Sequence, residues 1–273
     1  MTEIPIGLAN GRQLVFDLDT CRRGPAFFLL SVRKCGSTLF NGLGMALADA
    51  NEVPFFDARR FFLENIPVTQ FLGDPGLLAA LFPGNAYGGF RNMPRAFAEA
   101  ELFVAGPKIL LVRDPRDALV SEYFSNAYSH PIPLPHREGS DVTRLMLSQR
   151  LQARCLSIDE SVLRRASGMT ETMMEYATLV GSPSVTVVKY EDYIFDKAGL
   201  MRLIAECFDW NCDDGLIQRT LQWADVRPAS EDPRAFVRQV TPGDHRNKLA
   251  PKTIRCLDDL LAPAMNLFDY VTE

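Results

Sequence analysis

The sequence lacks features that mark several common classes of protein. Its six cysteines include no CxxC pair of the kind that holds zinc, and it has three histidines in 273 residues. Positive charge is not in excess, because 29 Lys and Arg face 34 Asp and Glu for a net charge of −5. These shortages argue against a metal-binding module and against a general nucleic-acid binder, which needs a basic surface to displace counterions.

Long apolar runs are also missing. The longest apolar stretch near the N-terminus, Ala26–Leu30, is far shorter than a bilayer span. The first twenty residues carry acids early and lack a basic stretch followed by an apolar core, so we expect no secretory signal. Cysteines spread over the whole length predict a reduced, cytoplasmic setting.

The composition is that of an ordinary globular protein, with 47% apolar and 23% charged residues and no internal repeat. Buried-strand patterns cover 26–32 (AFFLLSV), 108–112 (KILLV) and 184–190 (SVTVVKY). Helical patterns cover 39–50, 116–128, 141–156, 159–179, 197–208, 213–224 and 252–261. This alternation predicts one α/β domain over 1–273, with a central parallel sheet flanked by helices.

Two segments have loop composition. Residues 129–140 (SHPIPLPHREGS) hold three prolines between helices and are placed to cover a site. Residues 227–250 are rich in Arg, Pro, Gly and Asp and lack clear periodicity.

The first anion-binding candidate is Arg33–Thr38 (RKCGST), between the first strand and its helix. Backbone N–H groups at a helix N-terminus bind phosphate or sulfate, and Lys34 adds a mobile full charge. Gly36 allows close approach of the backbone, and Ser37 and Thr38 add hydroxyl donors. The alternative is an ordinary helix start with a solvated lysine.

Two further candidates follow later in the chain. Arg113 ends the second strand, Asp114-Pro115 is a helix-start signal, and Ser121 lies two turns into that helix. The alternative is that Arg113 pairs with a neighbouring aspartate and Ser121 only packs. Arg238–Asn247 (RQVTPGDHRN) is a glycine-centred loop with flanking arginines, a composition also common on plain surfaces.

Taken in order, these motifs resemble those of the PAPS-dependent sulfotransferases, where PAPS is 3′-phosphoadenosine 5′-phosphosulfate. The family's PKSGTT, RNPRDxxVS and RKGxxGDWKN signatures match Arg33–Thr38, Arg113–Ser121 and Arg238–Asn247. A YED sequence after a late strand is also typical, and Tyr190–Asp192 fits it. The resemblance spans about residues 26–250 and implies a P-loop-like sulfotransferase fold.

The resemblance also implies roles for single residues. Lys34 would contact the phosphosulfate and its bridging oxygen, Arg113, Ser121 and Arg238 would hold the 3′-phosphate, and Tyr190 would lie near the adenine. The full set of implied nucleotide-binding residues is Arg33, Lys34, Cys35, Gly36, Ser37, Thr38, Arg113, Ser121, Tyr190, Arg238, Gly243 and His245. PAPS would be the co-substrate and PAP the product, and we expect no metal because protein cations can stabilise the leaving phosphate.

The catalytic base departs from the usual pattern. Phe90–Pro94 (FRNMP) corresponds to the histidine-bearing segment of cytosolic small-molecule sulfotransferases and puts Asn92, which cannot act as a base, at the histidine position. Asn51–Asp57 (NEVPFFD) is similar to a segment of heparan sulfate glucosaminyl 3-O-sulfotransferases, which implies Glu52 as catalytic base.

Apolar neighbours following Glu52 are expected to desolvate its carboxylate, and a nearby Lys34 would keep it ionised. The alternative is a surface glutamate at a helix end or one paired with Arg59 or Arg60. His130 and His136 are the remaining candidates for the base.

The sequence therefore predicts a sulfotransferase that acts on an acceptor hydroxyl, on a carbohydrate or small metabolite, by direct in-line displacement. A P-loop small-molecule kinase is one alternative, although it would carry GK[ST] and a magnesium-binding acid. A non-catalytic nucleotide-binding protein is the other. The expected partners are a small-molecule or carbohydrate acceptor and no nucleic acid, with the oligomeric state left open between monomer and homodimer.

Overall fold

A computed structural model describes residues 1–64, 66, 71–130, 132 and 141–272. The chain divides into two compact units. The first comprises Met1–Leu111 and Gly181–Asp225, and the second comprises Val112–Val180 and Val226–Glu273. The predicted single domain over 1–273 stays a prediction.

The strands and helices of the described residues are numbered along the chain. Strands β1 to β7 are Thr2–Gly7, Gln13–Leu18, Phe27–Ser31, Phe55–Asp57, Ala86–Gly88, Lys108–Val112 and Val185–Lys189. Helices α1 to α11 are Ser37–Ala50, Arg59–Leu63, Glu101–Ala105, Pro115–Phe124, Asp141–Cys155, Ile158–Met174, Tyr190–Tyr193, Lys197–Phe208, Asp214–Ala224, Asp244–Lys248 and Pro251–Leu267. Short 3-10 turns occur at Pro75–Ala80 and Arg95–Phe97, and a π-helical turn at Ser125–Ser129.

The central feature of the first unit is a five-stranded parallel sheet with the order β4-β5-β3-β6-β7. Every residue of β3 and β6 is buried, including Ser31 and Lys108 at the ends of their apolar runs. β3 pairs in parallel with β5 on one side and β6 on the other. The predicted fold class, an α/β fold with a central parallel sheet flanked by helices, is confirmed.

Four strands, β1, β2, β4 and β5, were not predicted from the sequence. β4 and β5 have three residues each, too few to show a period, and they pair in parallel at one side of the sheet. β1 and β2 form a separate antiparallel pair, and Phe16 of β2 stacks on Phe56 of β4 with ring centroids 4.3 Å apart. Aromatic packing rather than strand length therefore fixes these elements.

Two glycines of helix α1 allow close packing, Gly44 against the sheet and Gly42 against α9. A Cβ on Gly44 would lie 2.4 Å from Leu29 Cδ1 in β3, and one on Gly42 would lie 2.9 Å from Trp223 Cη2 in α9. The close packing expected to offset the poor helix propensity of these glycines is therefore present.

In the second unit, α4 begins as its sequence predicts. The Asp114 side chain accepts from the Arg116 N–H, and Pro115 occupies the first helical position. The buried Arg116 guanidinium bonds Asp114 and also Asp258 of α11, with Nη1···Oδ1 at 2.8 Å. This ion triad ties α4 to α11, and α6 packs against both helices.

The two predicted loops have different outcomes. In the proline-rich segment 129–140, residues 131 and 133–140, including His136, lie outside the described residues. His130 is described and follows the π-helical turn, where its carbonyl accepts a hydrogen bond from Arg150. Segment 227–250 contains the short helix α10.

All six cysteines are free thiols. None of the helices within the described ranges is long and apolar enough to cross a membrane.

Candidate functional site

The loop Arg33–Thr38 connects the carboxyl end of β3 to α1. Lys34 (φ 66°) and Gly36 (φ 83°) both adopt the left-handed conformation, which turns the chain sharply into the helix. In the described structure no side chain caps α1, whose N-cap residue is Gly36. The helix N-terminus is thus built by backbone groups alone, an arrangement suited to an anion.

The side chains of this loop differ in exposure. Lys34 and Thr38 are half-buried, whereas Cys35 is fully buried and its thiol lies 3.6 Å from the Arg33 carbonyl oxygen. Any contact of Cys35 with a ligand would therefore come from its backbone.

Tyr190 packs directly on this loop. It follows β7 and begins α7, and a Cβ added to Gly36 would lie 3.1 Å from Tyr190 Cδ2. The structure therefore brings Tyr190 and Arg33–Thr38 together, whereas the implied place of Tyr190 near the adenine stays a prediction.

Asp117 links the second and third motifs within the second unit. Its Oδ2 accepts from the Gly243 N–H at 2.7 Å, and its Oδ1 lies 2.9 Å from the His245 N and 2.7 Å from His245 Nδ1. Arg113 Nη2 approaches Oδ2 to 3.6 Å. The carboxylate has no exposed surface, so these contacts replace its hydration.

The protonation of Asp117 reflects these contacts. Burial alone would raise its pKa, but hydrogen bonds from His245 and the charge of Arg113 outweigh it and hold the pKa at about 2. His245 is only 1% exposed and has its Nδ1 engaged by Asp117. It orders the loop, and its predicted contact with nucleotide stays a prediction.

Arg238 lies in the same network. Its guanidinium forms ion pairs with Asp244 and Glu231 and lies 4.2 Å from the centre of the Phe124 ring. Ser121 is half-buried and precedes Phe124 by three residues in α4, so the two share a helix face. The structure therefore brings Arg113, Ser121, Arg238, Gly243 and His245 together on α4 and the loop beside it.

A pocket of about 500 Å³ adjoins this cluster. It is lined by Phe124, Tyr128, Asp232, Pro233 and Arg234. Phe124 thus has Arg238 over its ring and also borders the pocket. Across the described ranges, no group of three or more His, Cys, Asp or Glu is placed to hold a metal ion.

Glu52 is the sequence-derived site residue that the structure corrects. It is exposed, it follows the C-terminal end of α1, and its carbonyl accepts from Arg22 Nη1 at 2.7 Å. Because α1 has 14 residues and rises 1.5 Å per residue, Glu52 lies about 20 Å along the helix from the Lys34 loop. The expected desolvation by Phe55 and Phe56 and the expected nearness to Lys34 are both wrong.

A different acid of the same segment is near the loop. Asp57 ends β4, and its Oδ1 lies 3.4 Å from Nδ2 of Asn41 in the second turn of α1. Its place at the carboxyl end of a parallel strand was the available signal, but the strand was too short to recognise.

The fold is that of an α/β protein with the loop Arg33–Thr38 and Arg113 at the carboxyl ends of neighbouring parallel strands. Comparison with known proteins makes this specific. The sulfotransferase domain family matches residues 25–269, and the chain belongs to that family. A search of curated protein sequences finds no match.

Solved structures share the fold. Mouse sulfotransferase SULT7A1 complexed with PAP superposes with a TM-score of 0.57 at 15% identity, over 92% of this chain and 85% of that one. Retinol dehydratase, in complex with androsterone and PAP, superposes with a TM-score of 0.51 at 17% identity, over 90% and 82%. Its complex with retinol and PAP gives the same TM-score at 16% identity, over 94% and 88%.

The first prediction concerns Asp117. Asp117→Asn should lower the free energy of unfolding by about 2–4 kcal/mol, because a buried, hydrogen-bonded charge is replaced by an amide that accepts fewer bonds. The native pKa of about 2 is below the ordinary 3.8, so this stabilisation is complete above pH 3.8 and is lost as the pH falls towards 2. Denaturant unfolding of both proteins across that range measures it.

The exposed Asp259→Asn in α11 is the matched control and should leave stability nearly unchanged. A wild-type advantage over Asp117→Asn that stays constant down to pH 2 would contradict the assigned ionisation.

The second prediction follows from the position of Glu52. Glu52→Gln should keep kcat within about threefold of wild type, because an exposed group at the far end of α1 cannot reach the proton of an acceptor bound at the loop. Steady-state transfer assays measure this, with the exposed Glu99→Gln as control. A loss on the order of 100-fold would restore Glu52 as the base.

Proposed function

We propose that this protein transfers the sulfuryl group of PAPS to an acceptor hydroxyl on a carbohydrate or small metabolite. The observation that carries the proposal is the Asp117 network, which joins Arg113 and the loop that carries Arg238 into one hydrogen-bonded cluster. These residues match the family's signatures for the 3′-phosphate. The relatives solved with PAP support the same nucleotide.

The loop Arg33–Thr38 would hold the 5′-phosphosulfate. Its left-handed turn and the N-terminus of α1 suit an anion, and Lys34 supplies the full charge. β3 and β6 are neighbours in the parallel sheet, so the loop after β3 and Arg113 after β6 leave from carboxyl ends at the same edge.

The proposed reaction is a direct displacement at sulfur. The acceptor oxygen forms a bond to sulfur while the bond from sulfur to the bridging oxygen breaks. The electron pair stays on the 5′-phosphate of PAP, and the hydroxyl proton passes to a base. Lys34 would stabilise the charge that develops on the leaving oxygen, which lowers the barrier more than it strengthens binding. Because Glu52 lies far from the loop, His130 and His136 are the remaining predicted bases.

The third prediction tests the nucleotide and the reaction together. PAP should raise the melting temperature more than ADP or ATP at equal concentration, because the 3′-phosphate meets Arg113, Ser121 and Arg238. Lys34→Ala should reduce sulfuryl transfer from labelled PAPS by a factor on the order of 100, whereas the exposed Lys252→Ala should not. An equal response to ADP and PAP, or full turnover in Lys34→Ala, would refute the proposal.

Binding the 3′-phosphate requires an exchange of partners at Arg238. Asp244 is nearly buried, with 3% of its side chain exposed, whereas 27% of the Glu231 side chain is exposed. Burial raises the pKa of Glu231, but Lys248 and Arg238 outweigh it and lower the pKa overall, so Glu231 is a carboxylate at neutral pH. We expect the phosphate to replace Glu231 and to leave Asp244 in place.

The fourth prediction tests this exchange. Glu231→Gln should bind PAP more tightly, by about three- to tenfold, because the phosphate no longer competes with a carboxylate for Arg238. Isothermal titration measures the change, and Glu99→Gln is again the control. Weaker binding in Glu231→Gln would show that Glu231 supports the site rather than competing for it.

A further inference from the structure

A cationic cluster that the proposed function does not use lies at the carboxyl ends of β4 and β5. Asp57 ends β4, Arg59 begins α2, and Arg91 follows the end of β5 by three residues. We call these three residues the arginine cluster. It belongs entirely to the first unit.

Within the cluster, Asp57 is fully engaged by Arg59. Arg59 Nε lies 2.9 and 2.8 Å from the two carboxylate oxygens, and Nη2 lies 2.6 Å from Oδ2. The Arg59 N–H adds a bond of 3.0 Å to Oδ1. Asp57 therefore neutralises one guanidinium and fixes its orientation.

Arg91 carries the second guanidinium. Its hydrogen bond goes to Thr38 Oγ1 at 3.4 Å, and none of the described carboxylates forms an ion pair with it. Burial and the charge of Arg59 lower the pKa of Arg91, and Asp57 opposes them in part. Two arginines and one aspartate leave the cluster with one positive charge that the described protein groups do not match.

Tight packing holds the cluster in place. A Cβ on Gly89 would lie 2.4 Å from Asp57 Oδ1, and one on Gly88 would lie 2.4 Å from Asn41 Oδ1. That Asn41 oxygen is buried and accepts no hydrogen bond from the described residues. Buried polar groups without a partner are rare and concentrate at functional positions.

The sheet order separates this cluster from the proposed 3′-phosphate residues. β3, which leads into Arg33–Thr38, lies between β5 and β6. Arg113 follows β6, whereas Arg91 follows β5 on the other side of β3 and touches Thr38 at the end of the loop. If the nucleotide extends from the loop towards β6, the arginine cluster lies on the side left for the acceptor.

We propose that Arg91, with Arg59 positioned by Asp57, binds an oxyanion on the acceptor, so that the preferred acceptor is a hydroxyl compound already carrying a carboxylate, sulfate or phosphate. The inference rests on the proposed function and names its substrate class. A forked guanidinium pairs with such a group through two parallel hydrogen bonds. Arg91 is then a specificity residue, and the hydroxyl of the same molecule faces the phosphosulfate.

Matched acceptor pairs test this proposal in two readouts. The pairs are D-glucuronate with D-glucose and 4-hydroxybenzoate with its methyl ester. Titrated into protein saturated with PAP, the anionic member of a pair should bind at least tenfold more tightly than the neutral one. In transfer assays Arg91→Gln should raise the KM for the anionic member by about tenfold. The KM for PAPS and the kcat with the neutral members should stay unchanged.

Further variants separate charge from folding. Arg91→Lys should keep part of the preference, because it keeps the charge without the fork. The exposed Arg95→Gln, four residues further on, should keep all of it. Equal binding of charged and neutral members by wild type would overturn the proposal, as would a fall in kcat with both members in Arg91→Gln, which would place Arg91 on the sulfuryl group instead.

Failure of the proposed function has a different signature. In that case PAP does not raise the melting temperature of the protein. The affinities for the anionic and neutral members of each pair are then measured without PAP. A preference that Arg91→Gln removes would support the oxyanion subsite alone, whereas no preference would overturn it.

Discussion

The proposed nucleotide site depends on one buried carboxylate. Asp117 has no exposed surface, yet it is held ionised by the Gly243 and His245 N–H groups, the His245 ring and Arg113. Burying this charge without such partners would strongly destabilise the folded protein. The loop must therefore keep its position relative to helix α4. The loop that carries Arg238 has little regular structure besides the five-residue helix α10. Its position beside α4 is set by bonds from the Gly243 and His245 N–H groups to the Asp117 side chain.

The parallel sheet supplies the other half of the arrangement. β3 is central, and the segments that follow β3 and its neighbours β5 and β6 carry Lys34, Arg91 and Arg113. Gly36 turns the first loop under the ring of Tyr190, where a side chain would have to displace the ring. In our proposals the loop after β3 holds the 5′-phosphosulfate, and Arg91 after β5 binds the acceptor.

The sequence made the strands β3, β6 and β7 and the longer helices predictable, but it did not show the short or half-exposed strands β1, β2, β4 and β5. Apolar runs predicted β3 and β6, and Asp114-Pro115 predicted the start of α4. β4 and β5 were too short to show a period, so the position of Asp57 at a strand end could not be seen. The predicted helix over 39–50 already separated Glu52 from Lys34, but the resemblance of the Asn51–Asp57 segment led us to expect the two side by side. Motif matching identified Arg113 and Arg238. The sequence around Asp117 did not show that its carboxylate accepts a hydrogen bond from Gly243, 126 residues further along the chain.

The most direct test of the central claim compares two nucleotides in two proteins. Isothermal titration of PAP and AMP into wild type and Asp117→Asn isolates the contribution of the 3′-phosphate, because AMP lacks it. If Asp117 holds Arg113 and the Arg238 loop at one phosphate, PAP should bind at least tenfold more weakly to the variant while AMP affinity is unchanged. If both nucleotides weaken by the same factor, or neither does, the site does not depend on Asp117 and the account is contradicted.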